Sequence, residues 1–289
     1  MIRNSLLICG QYMFQFFAFT VALICYFTLL HRIFTTNLRN QISQCFLVNI
    51  YFWISTCTFG IVHSAYMKKF GLIATEYSSS TLFWTATFHY SCLSAVSITV
   101  IFLLLERLRF LHLSANYANR LRLFVLTQIG CASTVVLIIF VVVPIIELPL
   151  PEITDCSSYG CILTKTSGLF NVIPKAVCGI TNVILALLFI RKMALQRRQH
   201  VALKRTGKRA NEIAKLAAAT EFVFNVVPTT LWLIFSAVGI QQWNFLGAYG
   251  PTMFSVDGLA TVLIYTFLIR RKWPKTNVLS VTIVRSINF

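Results

Sequence analysis

The chain has 289 residues, of which 57% are hydrophobic and only 11% charged, and its mean hydropathy is +0.75. A soluble domain carries about 25% charged residues, so too few charges exist here to cover a globule of this size, and the same figures exclude disorder, a collagen-like repeat and a small disulfide scaffold. Lys and Arg number 25 against 8 Asp and Glu, a net charge of +17; whether that excess serves nucleic acid or a membrane face depends on where the cations fall.

A membrane-crossing helix needs roughly 20 mostly apolar residues. In chain order, such stretches are expected at about 5–30, 43–66, 80–105, 123–146, 168–190, 214–240 and 248–269. The fifth is broken only by Lys175. The sixth and seventh come from one charge-free run, Phe222 to Val256, which is too long for a single helix. Gln241, Gln242, Asn244 and Gly247 divide it, and Gly250-Pro251 opens the last helix. The expectation is an all-α membrane protein: one seven-transmembrane helix bundle over 1–289, with 270–289 as a cytoplasmic tail.

With the N-terminus outside, the inward segments are His31–Arg39, Glu106–Arg122, Arg191–Lys215 and the stretch from Arg270. They hold two, four, nine and five basic residues, 20 of the 25. Arg3, Lys68, Lys69, Lys165 and Lys175 make up the rest. This asymmetry matches the positive-inside rule. It points to an extracellular N-terminus and a cytoplasmic C-terminus, and turns the basic balance away from nucleic acid. The apolar run after Arg3 continues to Leu30 with no clear small-residue cleavage site, and reads as the first span rather than a secretory signal.

Nine cysteines are present. Cys25, Cys45, Cys57, Cys92, Cys131 and Cys178 fall in or near spans, where a thiol behaves as a small hydrophobe. Cys156 and Cys161 lie in the outer loop Glu147–Ser167, where they form either a local disulfide clasp or two free thiols. Pro144, Pro174, Pro228 and Pro251 lie in or beside spans and remove backbone donors. Pro228, in the middle of the sixth span, is the candidate hinge.

Ionisable groups within the bilayer are candidates for function, because an unpaired charge there costs at least ~2.5–3.5 kcal/mol. Asp257 and Glu221 either serve function or make structural hydrogen bonds to nearby Thr, Asn or backbone. Lys175 either faces the interior or snorkels to the outer headgroups. His63 and His89 line a cavity or bond a backbone carbonyl. Enzymatic signatures are missing: the five histidines show no metal-binding spacing, and neither a phosphate loop nor a G-x-S-x-G elbow occurs. The reading is accordingly of a protein that is not an enzyme and needs no cofactor. No repeated halves of the kind found in transporters are seen.

On the inward side, Glu106-Arg107 closes the third span with Arg109 following. Such an acid–base pair can lock neighbouring helix ends. Lys204–Glu212 reads as a helical extension of the sixth span, and its cations suit an acidic partner protein or anionic lipid. After Pro274 the tail has apolar residues at helical spacing, Leu279, Ile283, Val284 and Ile287, although Leu279, Val281 and Ile283 also permit an extended form.

Four places carry a family likeness: Glu106-Arg107; the string Asp155-Cys156-Ser157-Ser158-Tyr159-Gly160-Cys161; Lys208-Arg209-Ala210-Asn211; and Gly250-Pro251. In these, and in length and topology, the chain resembles nematode seven-transmembrane chemoreceptors, most closely the serpentine receptor class BC group. It departs from them after Glu106-Arg107, where Leu108-Arg109-Phe110-Leu111-His112-Leu113 stands in place of an aromatic–Pro stretch. The bridge of rhodopsin-like receptors, from the outer loop to the outer end of the third helix, has no cysteine to form it within 78–86.

The resemblance implies a G-protein-coupled receptor for an odorant or pheromone-like small molecule in the plasma membrane of a sensory neuron, with a heterotrimeric G protein as partner. On that reading Glu106, Arg107 and Arg109 form the inner lock, and Arg197, Arg198, Lys204, Arg205, Lys208 and Arg209 the partner-facing surface. Cys156 and Cys161 are the outer-loop clasp, and Trp84, His89, Tyr249 and Asp257 candidate ligand-binding residues. The alternative is a transporter or channel whose polar path uses Asp257, Glu221 and Lys175.

Overall fold

The computed structural model describes residues 2–36, 42–73, 77–110, 117–154, 159–163, 169–198, 205–237 and 249–270. Nearly all of them are helical. The helices are α1 (Ile2–Thr35), α2 (Gln44–Ile73), α3 (Ser79–Phe110), α4 (Tyr117–Glu147), the short α5 (Tyr159–Ile162), α6 (Leu169–Arg198), α7 (Arg205–Glu221), α8 (Val227–Ala237) and α9 (Tyr249–Arg270). Six contain stretches long and apolar enough to cross a bilayer: Leu7–Thr35, Gln44–Lys68, Ser79–Arg109, Arg122–Glu147, Ile173–Leu195 and Thr252–Arg270. The protein is an all-α, multi-pass membrane protein. Helix is the form that satisfies every backbone N–H and C=O within its own segment, which hydrocarbon demands. Side-chain hydroxyls on the outer faces obey the same rule: Thr28, Thr58, Thr127 and Thr181 each donate to the carbonyl one turn back, at 2.8–2.9 Å.

The remaining apolar stretch is helical from Arg205 to Ala237 but changes register within. α7 gives way to a single π-helical turn, Phe222–Val226, before α8 resumes. The cause lies just beyond: Pro228 has no N–H and its ring excludes the carbonyl of Phe224, so the chain widens by one residue as it approaches. Val227 N–H accordingly bonds to Phe222 O, a π-type contact. The expected hinge at Pro228 is thus a place of irregular helix.

α3 is the axle. It packs on α2, α4, α6 and α7, while α1–α2–α4–α6–α7–α9 close a ring around it. Its spanning stretch is the most buried of the six, and those of α4 and α6 the least, with Leu123, Leu137, Ile145, Val177 and Leu187 pointing outward. Most of the buried apolar residues form one cluster that includes Phe19, Tyr26, Phe46, Trp53, Phe189 and Tyr265. Close approach of helices depends on glycine at three points among the described residues, the first being Gly60 of α2, where a Cβ would stand 2.7 Å from the Phe19 ring. A Cβ on Gly179 of α6 would stand 2.7 Å from Val226 Cγ2 in the π turn, and one on Gly258 of α9 would stand 3.0 Å from the Trp53 ring.

One end of the bundle carries Arg32, Arg107, Arg109 and Arg270 in the last turns of their helices; we call it the basic end. At the opposite end, Tyr77–Ser78 pairs antiparallel with Ile153–Thr154, Tyr77 facing Thr154 and Ser78 facing Ile153. Ser79 N–H adds a bond to Glu152 O at 3.2 Å. Backbone pairing therefore ties the start of α3 to the segment after α4. Gly179→Leu is expected to lower stability by about 1–3 kcal/mol through overpacking against the π turn, read as a lower unfolding temperature of the purified protein.

Candidate functional site

Many of the polar side chains in the interior meet on α3 in one belt. On one face, Asn49 Nδ2 of α2 donates to Thr99 Oγ1 at 2.7 Å, and Tyr265 OH of α9 donates to Asn49 Oδ1 at 3.4 Å. Gln128 of α4 donates to the carbonyls of Cys45 and Thr99, at 3.2 and 3.3 Å. Ser97, two residues before Thr99, faces the other way. Asn182 Nδ2 of α6 donates to its carbonyl at 3.1 Å, and Asn225 Nδ2 of the π turn to its hydroxyl at 2.8 Å.

Glu221 closes this second node. Asn225 donates to its Oε1 as well as to the Ser97 hydroxyl. One amide of the π turn thus joins the buried acid to Ser97 of α3, whose carbonyl takes Asn182 of α6. Asp257 of α9 takes the Thr261 hydroxyl at 3.1 Å, and Thr261 stands 3.3 Å from Thr220 of α7. Both acids therefore have the structural bonds to Thr and Asn that one sequence reading offered for them.

Toward the opposite end lies a second cluster. His89 Nδ1 is 3.2 Å from the carbonyl of Thr56, and His63 Nδ1 is 3.2 Å from Thr85 Oγ1. The two imidazoles stack at 6.3 Å, with Phe19 edge-on to His89 at 5.1 Å and Tyr12 edge-on to His63 at 5.8 Å. Lys175 is buried here. Of the two alternatives for it, facing inward or snorkelling, the structure has the inward one: its ammonium lies 3.9 Å from the Phe254 ring centroid and 4.8 Å from that of Tyr90. Two desolvated cation–π contacts of up to ~2 kcal/mol each offset the ~2.5–3.5 kcal/mol of a charge at that depth. Tyr159 of α5 reaches in from the loop end. Its OH is 2.8 Å from Thr87 Oγ1, and its ring stacks on Tyr90 at 5.1 Å.

At the basic end, Arg107 Nη2 meets Glu106 Oε1 at 3.1 Å, both residues buried. This ion pair lies within one helix. The tie to a neighbour is a hydroxyl: Ser43, which caps α2 by accepting from Phe46 N–H at 3.3 Å, donates its proton to Glu106 Oε2. Arg109 lies 4.9 Å over the Phe124 ring and binds α3 to α4. Arg205, Lys208 and Arg209 fall in α7, as a helical extension of the sixth span requires; Arg197 and Arg198 end α6. Their side chains, with Lys204, Cys156, the side chain of Cys161 and the tail after Arg270, lie outside the described residues.

Of the four candidate ligand residues, His89 belongs to the histidine–lysine cluster and Asp257 to the polar belt. Trp84 stands apart, packed on Phe83 and on Phe140 of α4 at 5.3 Å each, and the Tyr249 side chain lies outside the described residues. Among the described residues, no three His, Cys, Asp or Glu side chains gather as metal ligands. A scan against protein-family models finds no matching family, and a search of curated proteins finds no match.

The residues that the sequence reading passed over are Ser43, Asn49, Ser97, Gln128, Asn182 and Asn225. A signal was present: an Asn or Gln stands inside the second, fourth, fifth and sixth apolar stretches, and an amide in hydrocarbon needs a partner as a charge does. In a double-mutant cycle, Ser97→Ala and Asn225→Ala are expected to show a coupling of about 0.6–1.7 kcal/mol, the range of interhelical hydrogen bonds in bilayers. Unfolding of the four proteins in detergent measures it.

Proposed function

We propose that the protein is a seven-helix receptor for a small molecule, with Arg205–Ala237 as the further bilayer crossing beside the six apolar helices. Its ligand binds toward the end that holds His89 and Lys175. The N-terminus is extracellular and the basic end cytoplasmic, where it engages a heterotrimeric G protein; the odorant or pheromone-like ligand class and a sensory-neuron plasma membrane follow the chemoreceptor resemblance. The observation that carries the reading is the Glu221–Asn225–Ser97–Asn182 node, formed at an irregular turn between the loop-end cluster and the basic end.

Side-chain bonds of this kind have discrete alternatives, so a shift of α8 about the π turn exchanges one set for another. The irregular turn supplies the freedom, since the register there is already broken before Pro228. A ligand favours the second arrangement by binding it more tightly than the first. Glu106, Arg107 and Ser43 act as the inner latch, joining α3 to the start of α2. The rival reading, a transporter or channel, draws on the burial of Lys175, Glu221 and Asp257 in the interior.

The test is G-protein activation in cells across a chemical panel, together with ion or solute flux in liposomes. A stimulating compound is expected to lose its effect on Arg107→Ala. Ser43→Ala, which removes about 1 kcal/mol of latch, is expected to raise ligand-free signalling about fivefold. Undiminished signalling by Arg107→Ala removes the latch, and ligand-independent flux favours the transporter. Impermeant reagents on intact cells are expected to reach an N-terminal tag and to miss a C-terminal one; equal access from one side overturns the topology.

A further inference from the structure

Three buried polar groups in the loop-end cluster are left incomplete. Lys175 is 4% exposed, and its ammonium rests on two ring faces, with no hydrogen bond to an oxygen among the described residues. The ion pairs among the described residues, Glu106–Arg107 at the basic end and Glu212–Lys215 on α7, do not include Lys175. Ring faces balance a charge, but they accept none of the ammonium's three N–H donors in the way that an oxygen does. His63 and His89, each 1% exposed, have no hydrogen-bond partner at Nε2.

The tautomers follow from the partners at Nδ1. A carbonyl only accepts, so His89 Nδ1 carries the proton that goes to Thr56 O, and its Nε2 is a bare acceptor. Thr85 donates its own proton to Thr81 O at 2.8 Å, so His63 Nδ1 donates to that hydroxyl and its Nε2 is bare as well. The three groups belong to one place. The imidazoles stack on each other, and the ring of Tyr90 is 5.5 Å from that of His89 and lies beneath the Lys175 ammonium. A cation without an oxygen thus stands beside two nitrogens without a donor.

We propose that Lys175, His63 and His89 form the polar end of a binding site for a small hydroxy- or amino-substituted carboxylic acid. This deepens the receptor reading and rests on it. The ligand's carboxylate meets the Lys175 ammonium as a charge-assisted hydrogen bond, strong because water is excluded. Its hydroxyl donates to one histidine Nε2, or an amino group's N–H donors to both, and its apolar part lies against Phe254 and Phe19. The Phe254 and Tyr90 rings hold the cation while the site is empty. Tyr159, stacked on Tyr90, covers it from the loop end and moves when the ligand enters.

The probe is glycolate, the smallest compound with both groups, compared with acetate, acetamide and chloride at equal ionic strength. The readout is the unfolding temperature of the purified full chain in nanodiscs. Glycolate is expected to raise it saturably and at lower concentration than acetate, with acetamide and chloride inert. Lys175→Met is expected to raise the half-maximal glycolate concentration at least about tenfold, the loss of one charge-assisted bond. Lys175→Arg is expected to keep the response, and His89→Phe to reduce glycolate to the level of acetate.

Cooperative unfolding of Lys175→Met without ligand shows that the variant is folded; should it fail to fold, Lys175→Arg and His89→Phe carry the comparison. Equal effects of glycolate and acetamide, a full response in Lys175→Met, or no glycolate response in the parent protein overturns the proposal. Glycolate binding without any G-protein or flux signal sinks the receptor reading alone, and signalling by neutral compounds with no glycolate binding sinks this site alone.

Discussion

Hydrocarbon offers no partner to a polar group, and the interior of this protein is organised by that single demand. Each helix satisfies its own backbone. Its Asn, Gln, Ser and Glu side chains have to find one another, and they do so on α3, with Thr99 serving α2 and α4 and Ser97 serving α6 and the π turn. Because these bonds are directional, they specify which helix faces which far more narrowly than apolar packing against lipid does. The ring of helices around α3 is the consequence.

The same demand explains the irregular part of the fold. Glu221 ends α7 at the level of Ser97 and Asn182, and Asn225 bonds both Ser97 and Glu221 from one amide. A regular helix running into Pro228 would leave a carbonyl without a donor. The π turn absorbs that defect next to the residues that bind Glu221, and Gly179 leaves room for it on the α6 side. Structural polarity and helix irregularity therefore coincide in the stretch between the loop-end cluster and the basic end.

Interactions at the two ends are of different kinds. At the basic end the charges are paired, Glu106 with Arg107, and capped by Ser43. Toward the loop end a cation rests on aromatic faces and two imidazole nitrogens go unanswered. A static membrane scaffold gains nothing from buried groups left incomplete, since each lowers its stability. On the proposed reading, their grouping near Tyr159 makes the loop end the ligand site and the basic end the latch.

Class and layout were legible in the chain alone, because hydrophobic length and charge are local quantities: any stretch of some 20 apolar residues reports a bilayer crossing, and six of the expected stretches appear as helices of that kind. The irregular sixth was marked by Pro228, though not the widened turn before it. The choices between alternatives were not legible, because they depend on residues distant in sequence. Lys175 goes inward because Tyr90 and Phe254, on two other helices, offer it ring faces. Glu106 meets Ser43 because α2 starts beside the end of α3. Composition decides that a segment enters the membrane, whereas which polar atoms meet there is decided by helix packing, whose partners come from the whole chain.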